Sequence, residues 1–273
     1  MSIEIVLLLL GMGAVIGFLA GLLGIGGGML MVPFVTMVLS STGFPPEHTV
    51  RVAIATSLTT ILFTSISSVR AHHRRGAVLW PQVRSLAPGI VLGSLGGAQI
   101  AGLISGPFLA GFFALFVSMT ATQMLLSKPP QGTGDAPKVA LPGAPTMFGV
   151  GGLIGTISAL VGAGGGFLTV PFLTSRGVQI QKAVASSAAC GFPIALAGSA
   201  GYVISGWNAN LPGQMLGYVY VPALVFIVIS SVLTAPLGAR TAHNMPTAQL
   251  KKVFALLLYA VAAYMFWKAV QTA

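Results

Sequence analysis

The chain alternates between long apolar runs and short polar or basic stretches. Several of the apolar runs approach the ~20 residues that a membrane-spanning helix requires. The pattern therefore predicts an all-α polytopic membrane protein. The predicted apolar segments cover about 4–24, 29–40, 51–70, 85–104, 107–126, 146–162, 167–175, 182–204, 216–238 and 251–268.

An internal repeat divides these segments into two sets of five. Residues 13–36 align without gaps on residues 151–174, and 13 of the 24 positions are identical. A second match relates residues 53–57 to residues 183–187. A stretch duplicated deep inside the chain belongs to the fold, so the apolar N-terminus is not a signal peptide. We expect two homologous halves, residues 1–127 and 146–273, joined by a linker over 128–145 that is rich in Pro and Gly.

Each half contains a glycine-rich break at the same place in the repeat. Residues 24–28 read Gly-Ile-Gly-Gly-Gly, residues 162–166 read Gly-Ala-Gly-Gly-Gly, and Val-Pro-Phe follows each at the same distance. In lipid, broken backbone is tolerated only where it is buried in protein or lines a cavity. The segments after the breaks are too short to span a membrane. Each break is thus interpreted as a re-entrant hairpin or half-helix junction, and such a matched pair indicates the central site of a transporter.

Composition fits this class, because 55% of the residues are hydrophobic and only 6% are charged. The net charge of +10 comes from bases beside apolar runs, which favours membrane orientation over nucleic-acid binding. If each half has one hairpin and three spanning helices, the halves are inverted and only Arg51 and Lys268 lie outside. Parallel halves of four crossings would split the bases seven against six. The predicted cytoplasmic bases are Arg70, Arg74, Arg75, Arg84, Lys128, Lys138, Arg176, Lys182, Arg240, Lys251 and Lys252.

Small residues recur every four positions in several apolar segments, as at Gly13 and Gly17, and at Gly93 and Gly97. Such spacing lets helix backbones approach closely in lipid. These glycines are therefore predicted to pack helices together rather than to bind a ligand.

The breaks are the first candidates for binding chemistry. A helix that restarts after glycines presents free N–H groups and a positive dipole end, which favour an anion. The alternative is a tight turn without a ligand. Downstream hydroxyls pair across the repeat, although hydroxyls in lipid also bond to their own helix backbone. The candidate substrate-binding residues are Gly26, Gly27, Gly28, Thr56, Ser57, Gly164, Gly165, Gly166, Ser186 and Ser187.

Two further residues are candidates for the substrate path. Gln99 lies inside an apolar segment, where a hydrogen bond to a neighbouring helix is the competing interpretation. Cys190 lies one turn after Ser187, and a lone buried cysteine usually behaves as a small apolar residue.

The missing residue types narrow the function further. The acids Glu4, Glu47 and Asp135 lie in termini or loops, so no apolar segment carries a carboxylate in its interior for proton or sodium coupling. Uncoupled anion export driven by the membrane potential is compatible with this, as is an anion channel. The sequence has no P-loop and no nucleophile–base pair or metal cluster within the membrane, so we expect no enzyme, no metal and no cofactor.

The duplicated Gly-x-Gly-Gly-Gly with Val-Pro, each followed by Ala-x-x-Thr/Ser-Ser, resembles the TauE/SafE sulfite exporter family over about residues 10–268. The resemblance implies a multi-pass permease of a bacterial-type plasma membrane for sulfite, thiosulfate or organosulfonates such as sulfoacetate. Its partners would be a small anion and membrane lipid, without nucleic acid, in a monomer or homodimer. The family's motifs fall on the breaks, with Pro33 and Pro171, and on the paired hydroxyls.

Overall fold

The computed structural model describes residues 3–23, 28–126, 142–244 and 247–272. Ten helices account for nearly all of this part of the chain. They are α1 Ile3–Leu23, α2 Gly28–Ser41, α3 Pro46–Arg74, α4 Trp80–Leu103, α5 Gly106–Leu126, α6 Ala144–Val161, α7 Gly166–Ser175, α8 Ile180–Ser205, α9 Val221–Asn244 and α10 Thr247–Thr272.

The helices follow the predicted segments and confirm the all-α polytopic class. Within the described ranges, six helices are long and apolar enough to cross a membrane: α3, α4, α5, α6, α8 and α10. The segments after the breaks are short, as expected, with 14 residues in α2 and 10 in α7. Each short helix is followed by a tight turn and a long helix.

One element was not predicted from the apolar pattern. The segment expected to begin near residue 216 instead starts as a small antiparallel hairpin of β1 Met215–Leu216 and β2 Val219–Tyr220. Helix α9 begins only at Val221. Gly217 permits the turn because it adopts a φ of +57°, which residues with a Cβ rarely take.

The first helix of each half packs against the other half. Helix α1 packs along α9, and α6 packs along α4, so the first helix of each half lies on the fourth helix of the other. A Cβ atom at Gly13 would lie 2.8 Å from the Ile227 Cα, and one at Gly97 would lie 2.8 Å from the Thr156 carbonyl oxygen. The four-residue glycine spacing therefore does what the sequence predicted and brings helix backbones together.

The third helices of the two halves, α3 and α8, pack against each other in the interior, and α5 packs against α10. Helix α3 contributes a continuous buried stretch from Val52 to Leu58. The short helices α2 and α7 lie beside α3 and α8, respectively. This arrangement brings each break next to the buried centre of the long helices.

Candidate functional site

The second break is a turn built on two left-handed glycines. Gly162 follows the last residue of α6 and has a φ of +69°, and Gly165 precedes the first residue of α7 and has a φ of +73°. Side chains with a Cβ rarely adopt these angles, which explains why the sequence places glycine here. A Cβ at Gly162 would also lie 2.8 Å from Val32 of α2. The turn is thus both conformationally special and closely packed.

The two breaks meet at a single serine. The Ser57 Oγ lies 3.0 Å from the Gly28 carbonyl oxygen and 2.9 Å from the Gly162 carbonyl oxygen, and both can accept a hydrogen bond from it. Ser57 is completely buried. A Cβ atom at Gly28 would lie 2.8 Å from the Gly162 carbonyl oxygen. The structure therefore brings the paired glycine motifs, 134 residues apart at these positions, into direct contact.

The first break is described only in part. Gly28 opens α2 and is buried, whereas Gly26 and Gly27 lie outside the described residues. Their role as substrate-binding residues stays a prediction.

Thr56 and Ser186 hold corresponding positions in the two halves. Thr56 Oγ1 accepts the N–H of Tyr220 at 3.0 Å, and Ser186 Oγ accepts the N–H of Leu79 at 2.9 Å. Tyr220 immediately precedes α9, and Leu79 immediately precedes α4. Each hydroxyl therefore satisfies a donor at the start of a fourth helix. This symmetry accounts for the pairing of the hydroxyls in the sequence without requiring a ligand.

The remaining predicted residues lie at different distances from the breaks. Ser187 and Cys190 are buried in α8, and the next residue, Gly191, would bring a Cβ within 3.4 Å of the Gly164 carbonyl oxygen. Gln99 instead donates its Nε2 to the Gly201 carbonyl oxygen at 3.0 Å. That bond joins α4 to α8, which matches the neighbouring-helix interpretation.

The buried polar groups around the breaks are uncharged. Apart from Tyr202, whose hydroxyl donates to the Ala159 carbonyl oxygen at 2.9 Å, the buried polar residues whose side chains are described are serines and threonines. Arg51, near the start of α3, is half-buried against the C-terminal end of α4. It donates to the Ala101 carbonyl oxygen at 3.0 Å and to the Ile104 carbonyl oxygen. No group of three or more His, Cys, Asp or Glu side chains in the described part of the chain could hold a metal ion. The site can offer a ligand hydroxyls, backbone amides and helix dipoles.

Comparison with known proteins identifies the family. The family model described as "Sulfite exporter TauE/SafE" matches residues 9–265. The chain belongs to the TauE/SafE family. A probable membrane transporter protein of Haemophilus influenzae is 41% identical over 265 residues, which are 96% of this chain and 98% of that one. One from Methanocaldococcus jannaschii is 27% identical over 263 residues, or 94% of each chain. No solved structure matches significantly.

The matched region of this TauE/SafE protein includes both breaks, the paired hydroxyls and all ten helices in part or whole. Its relatives are similar over nearly their full length and are named as probable membrane transporters. Together with the six long apolar helices of the described ranges, these similarities make the chain a multi-pass membrane transporter of the TauE/SafE type.

Sequence reasoning missed two hydroxyls of the TauE/SafE protein's second break. Ser158 in α6 and Thr169 in α7 are completely buried, and neither side-chain oxygen has a hydrogen-bond partner in the described structure. The repeat aligns these positions with Ala20 and Met31, so a search for features shared by both halves passes over them. The sequence signal that could have identified them is a difference between the halves: a polar residue in one half aligns with an apolar residue in the other.

Proposed function

We propose that this transporter exports small sulfur-containing oxyanions across the plasma membrane by alternating access. Candidate substrates are sulfite, thiosulfate and organosulfonates such as sulfoacetate. The observation that carries the proposal is the meeting of both glycine-rich breaks at Ser57, 2.9 Å from one and 3.0 Å from the other. The family description, which names sulfite export, supports the substrate class.

The chemistry around the breaks favours an anion over a cation. Helix starts present unsatisfied N–H groups and the positive end of the helix dipole. The described buried polar side chains are hydroxyls, and none is a carboxylate. Such a site can donate several hydrogen bonds to an oxyanion, whereas a cation path usually needs acids or converging carbonyl groups. The two carbonyl groups that converge at the breaks, those of Gly28 and Gly162, already face the Ser57 hydroxyl. The predicted residues at the breaks would act as hydrogen-bond donors and as close-approach positions for the anion.

We also propose that the two halves are inverted in the membrane, with the linker over 128–145 and most bases in the cytoplasm and with both termini outside. Support comes from the direction of the paired helices α3 and α8. In α3, Thr59 donates to Ser199 of α8 at 3.1 Å. Two residues later in α3, Ile61 lies near Gly164 of the second break. Gly164 in turn lies near Gly191, which comes two turns before Ser199 in α8. Contacts that advance along α3 thus move back along α8, as expected when corresponding helices of inverted repeats run in opposite directions.

The orientation has a direct test. A reporter enzyme active only in the cytoplasm, fused to the C-terminus, should be inactive, and the same reporter inserted in the linker should be active. Activity of the C-terminal fusion would contradict the proposed orientation.

In this scheme, inverted halves support export by exchanging conformations around a fixed central site. Without a buried carboxylate in the described ranges, the anion moves down its electrochemical gradient. An inside-negative potential contributes about 2.3 kcal/mol per charge per 100 mV to its expulsion. No catalytic step on the substrate is part of the proposal.

The test is transport by purified protein in proteoliposomes. Radiolabelled sulfite, thiosulfate and sulfoacetate are supplied outside vesicles with imposed potential or pH gradients. We expect saturable uptake of at least one sulfur oxyanion when the vesicle interior is positive. Absence of transport of all three under every gradient would contradict the proposal.

An anion channel or an uptake carrier for another small anion is the alternative function, favoured by the absence of acids among the described buried residues. The two mechanisms differ in rate. Saturating flux at carrier-like turnover supports alternating access, whereas single-channel currents in planar bilayers would support the channel.

A further inference from the structure

Two hydroxyls without partners lie at the second break. In the described structure, the buried side-chain polar atoms without a hydrogen-bond partner include Gln82 Oε1, Ser158 Oγ and Thr169 Oγ1. The last two belong to the helices on either side of this break. Buried polar groups are almost always hydrogen-bonded, and an orphaned group calls for an explanation such as a missing ligand.

Ser158 and Thr169 both lie beside the start of α7. Ser158 Oγ lies 3.3 Å from the position that a Cβ atom of Gly165 would occupy. Thr169 is in the first turn of α7, where each side chain tilts towards the helix N-terminus. Helix geometry therefore turns the Thr169 side chain towards the end of α7 at which Gly165 and Gly166 lie. Both residues border the same short stretch of backbone.

The backbone at the start of α7 also has N–H groups that make no hydrogen bond within the helix. Leu168 and Thr169 donate their N–H groups to the Gly165 carbonyl oxygen, and no side chain caps the helix. The N–H groups of Gly166 and Phe167 come before the first intrahelical bonds and have no acceptor within α7. These N–H groups lie at the positive end of the helix dipole.

The first half lacks the corresponding hydroxyls. The repeat places Ala20 opposite Ser158 and Met31 opposite Thr169. Met31 is buried, and Ser57 contacts Gly28 through the glycine's carbonyl oxygen, which leaves no hydroxyl donor for a ligand in that contact. The two orphaned hydroxyls are thus supplied by one half of an otherwise repeated structure.

We propose that Ser158 and Thr169, together with the N–H groups of Gly166 and Phe167, form the subsite that binds the oxygens bonded to the substrate's sulfur atom. The inference rests on the proposed export of sulfur oxyanions and deepens it. Four hydrogen-bond donors at one helix start suit a group with three acceptor oxygens, as in sulfite or a sulfonate. The substrate is therefore held by the second break, and the first break packs against it.

The test is equilibrium binding of radiolabelled sulfite to the purified full-length protein in detergent. Ser158→Ala and Thr169→Val should each weaken sulfite binding about tenfold, the usual loss for one hydrogen bond to a charged group. Because each hydroxyl is buried without a protein partner in the described structure, removing it costs no hydrogen bond, and the melting temperature without ligand should stay unchanged or rise. The rise in melting temperature on adding sulfite should shrink in both variants.

Ser94→Ala is the matched control. Ser94 is also completely buried, but its Oγ donates to the Gly155 carbonyl oxygen at 3.3 Å, away from the break. Gly155 is one turn before Ser158 in α6, so the control tests a neighbouring buried hydroxyl that does have a partner. This variant should lower the melting temperature, because it removes a hydrogen bond, and leave the sulfite dissociation constant unchanged, because Ser94 supplies no donor to the subsite.

The outcomes separate the inference from the proposed function. If the wild type transports and binds sulfite but both break variants bind it equally well, the subsite is wrong and export stands. The subsite is wrong in the same way if the break variants lose stability like the control and keep their affinity. If the wild type neither binds nor transports sulfite, thiosulfate or sulfoacetate, the proposed function and the subsite are both overturned.

Discussion

The two glycine-rich breaks share a sequence pattern but differ in the side chains beside them. At the second break, left-handed glycines, a short helix and two unpartnered hydroxyls occur together. At the described end of the first, Gly28 is packed against Ile61 and the Gly162 backbone, and Met31 replaces a threonine. The comparison shows that the repeat gives both halves the same glycine-rich backbone, whereas only the second half supplies unpartnered hydroxyls beside it. The following predictions test that division, from the largest expected effect to the smallest.

Gly165→Leu should reduce transport to the level of empty liposomes. The φ of +73° disfavours any side chain by roughly 1–2 kcal/mol, and a Cβ would collide with Ile194. Flux into proteoliposomes measures the effect. Gly76→Leu is the control, because Gly76 also has a positive φ of +63° but has open space around it. Normal flux in Gly165→Leu would remove the second break from the transport site.

Gly28→Ala should slow transport about tenfold, which corresponds to about 1.4 kcal/mol in the barrier. The new Cβ would lie 2.8 Å from the Gly162 carbonyl oxygen and would separate the two breaks. Initial rates of flux provide the measurement. Gly96→Ala, in α4, introduces the same group where nothing lies within 4 Å and should transport normally. Equal rates in both variants would contradict a functional contact between the breaks.

Ser57→Ala should cost about 1–2 kcal/mol of stability, because it removes a buried donor shared by two carbonyl groups. Thermal unfolding in detergent measures this loss, and flux should fall with it. Ser65→Ala, in the same helix, removes only a bond to the Leu62 carbonyl oxygen and should have the smaller effect. A reversed order would show that Ser57 does not hold the breaks together.

Thr56→Val and Ser186→Ala should each lower stability by about 1 kcal/mol, since each leaves one backbone N–H without its acceptor. The two losses should be similar because the hydroxyls perform the same task for opposite halves. Denaturation midpoints in detergent test the equality. Loss of transport with unchanged stability would instead favour direct substrate contact, the role predicted from the sequence.

Much of the fold was accessible from hydrophobicity, because lipid forces apolar runs to become helices. Predicted segments 29–40 and 167–175 became α2 and α7, and 107–126 became α5 almost without change. Helix α3 was longer than predicted because its polar first turn and the basic stretch up to Arg74 are also helical. The hairpin before α9 was missed because only four residues pair in it.

The site was less accessible for a different reason. The repeat identified the breaks and the hydroxyl pairs, since duplication marks positions that both halves need. It could not reveal that Ser57 bridges Gly28 and Gly162, because contacts between distant segments depend on how helices pack. It also directed attention away from Ser158, whose value lies in having no counterpart.

Thr56 and Ser186 each accept an N–H group from the other half, and this affects the order in which the protein can fold during synthesis. During synthesis, α4 enters the membrane before α8 exists, so the Leu79 N–H must wait for Ser186 to be translated. The first half is therefore an incomplete folding unit until the second is inserted. An ancestral chain with only one copy of the repeat would have met the same need by pairing with a second molecule, each supplying the other's missing acceptor.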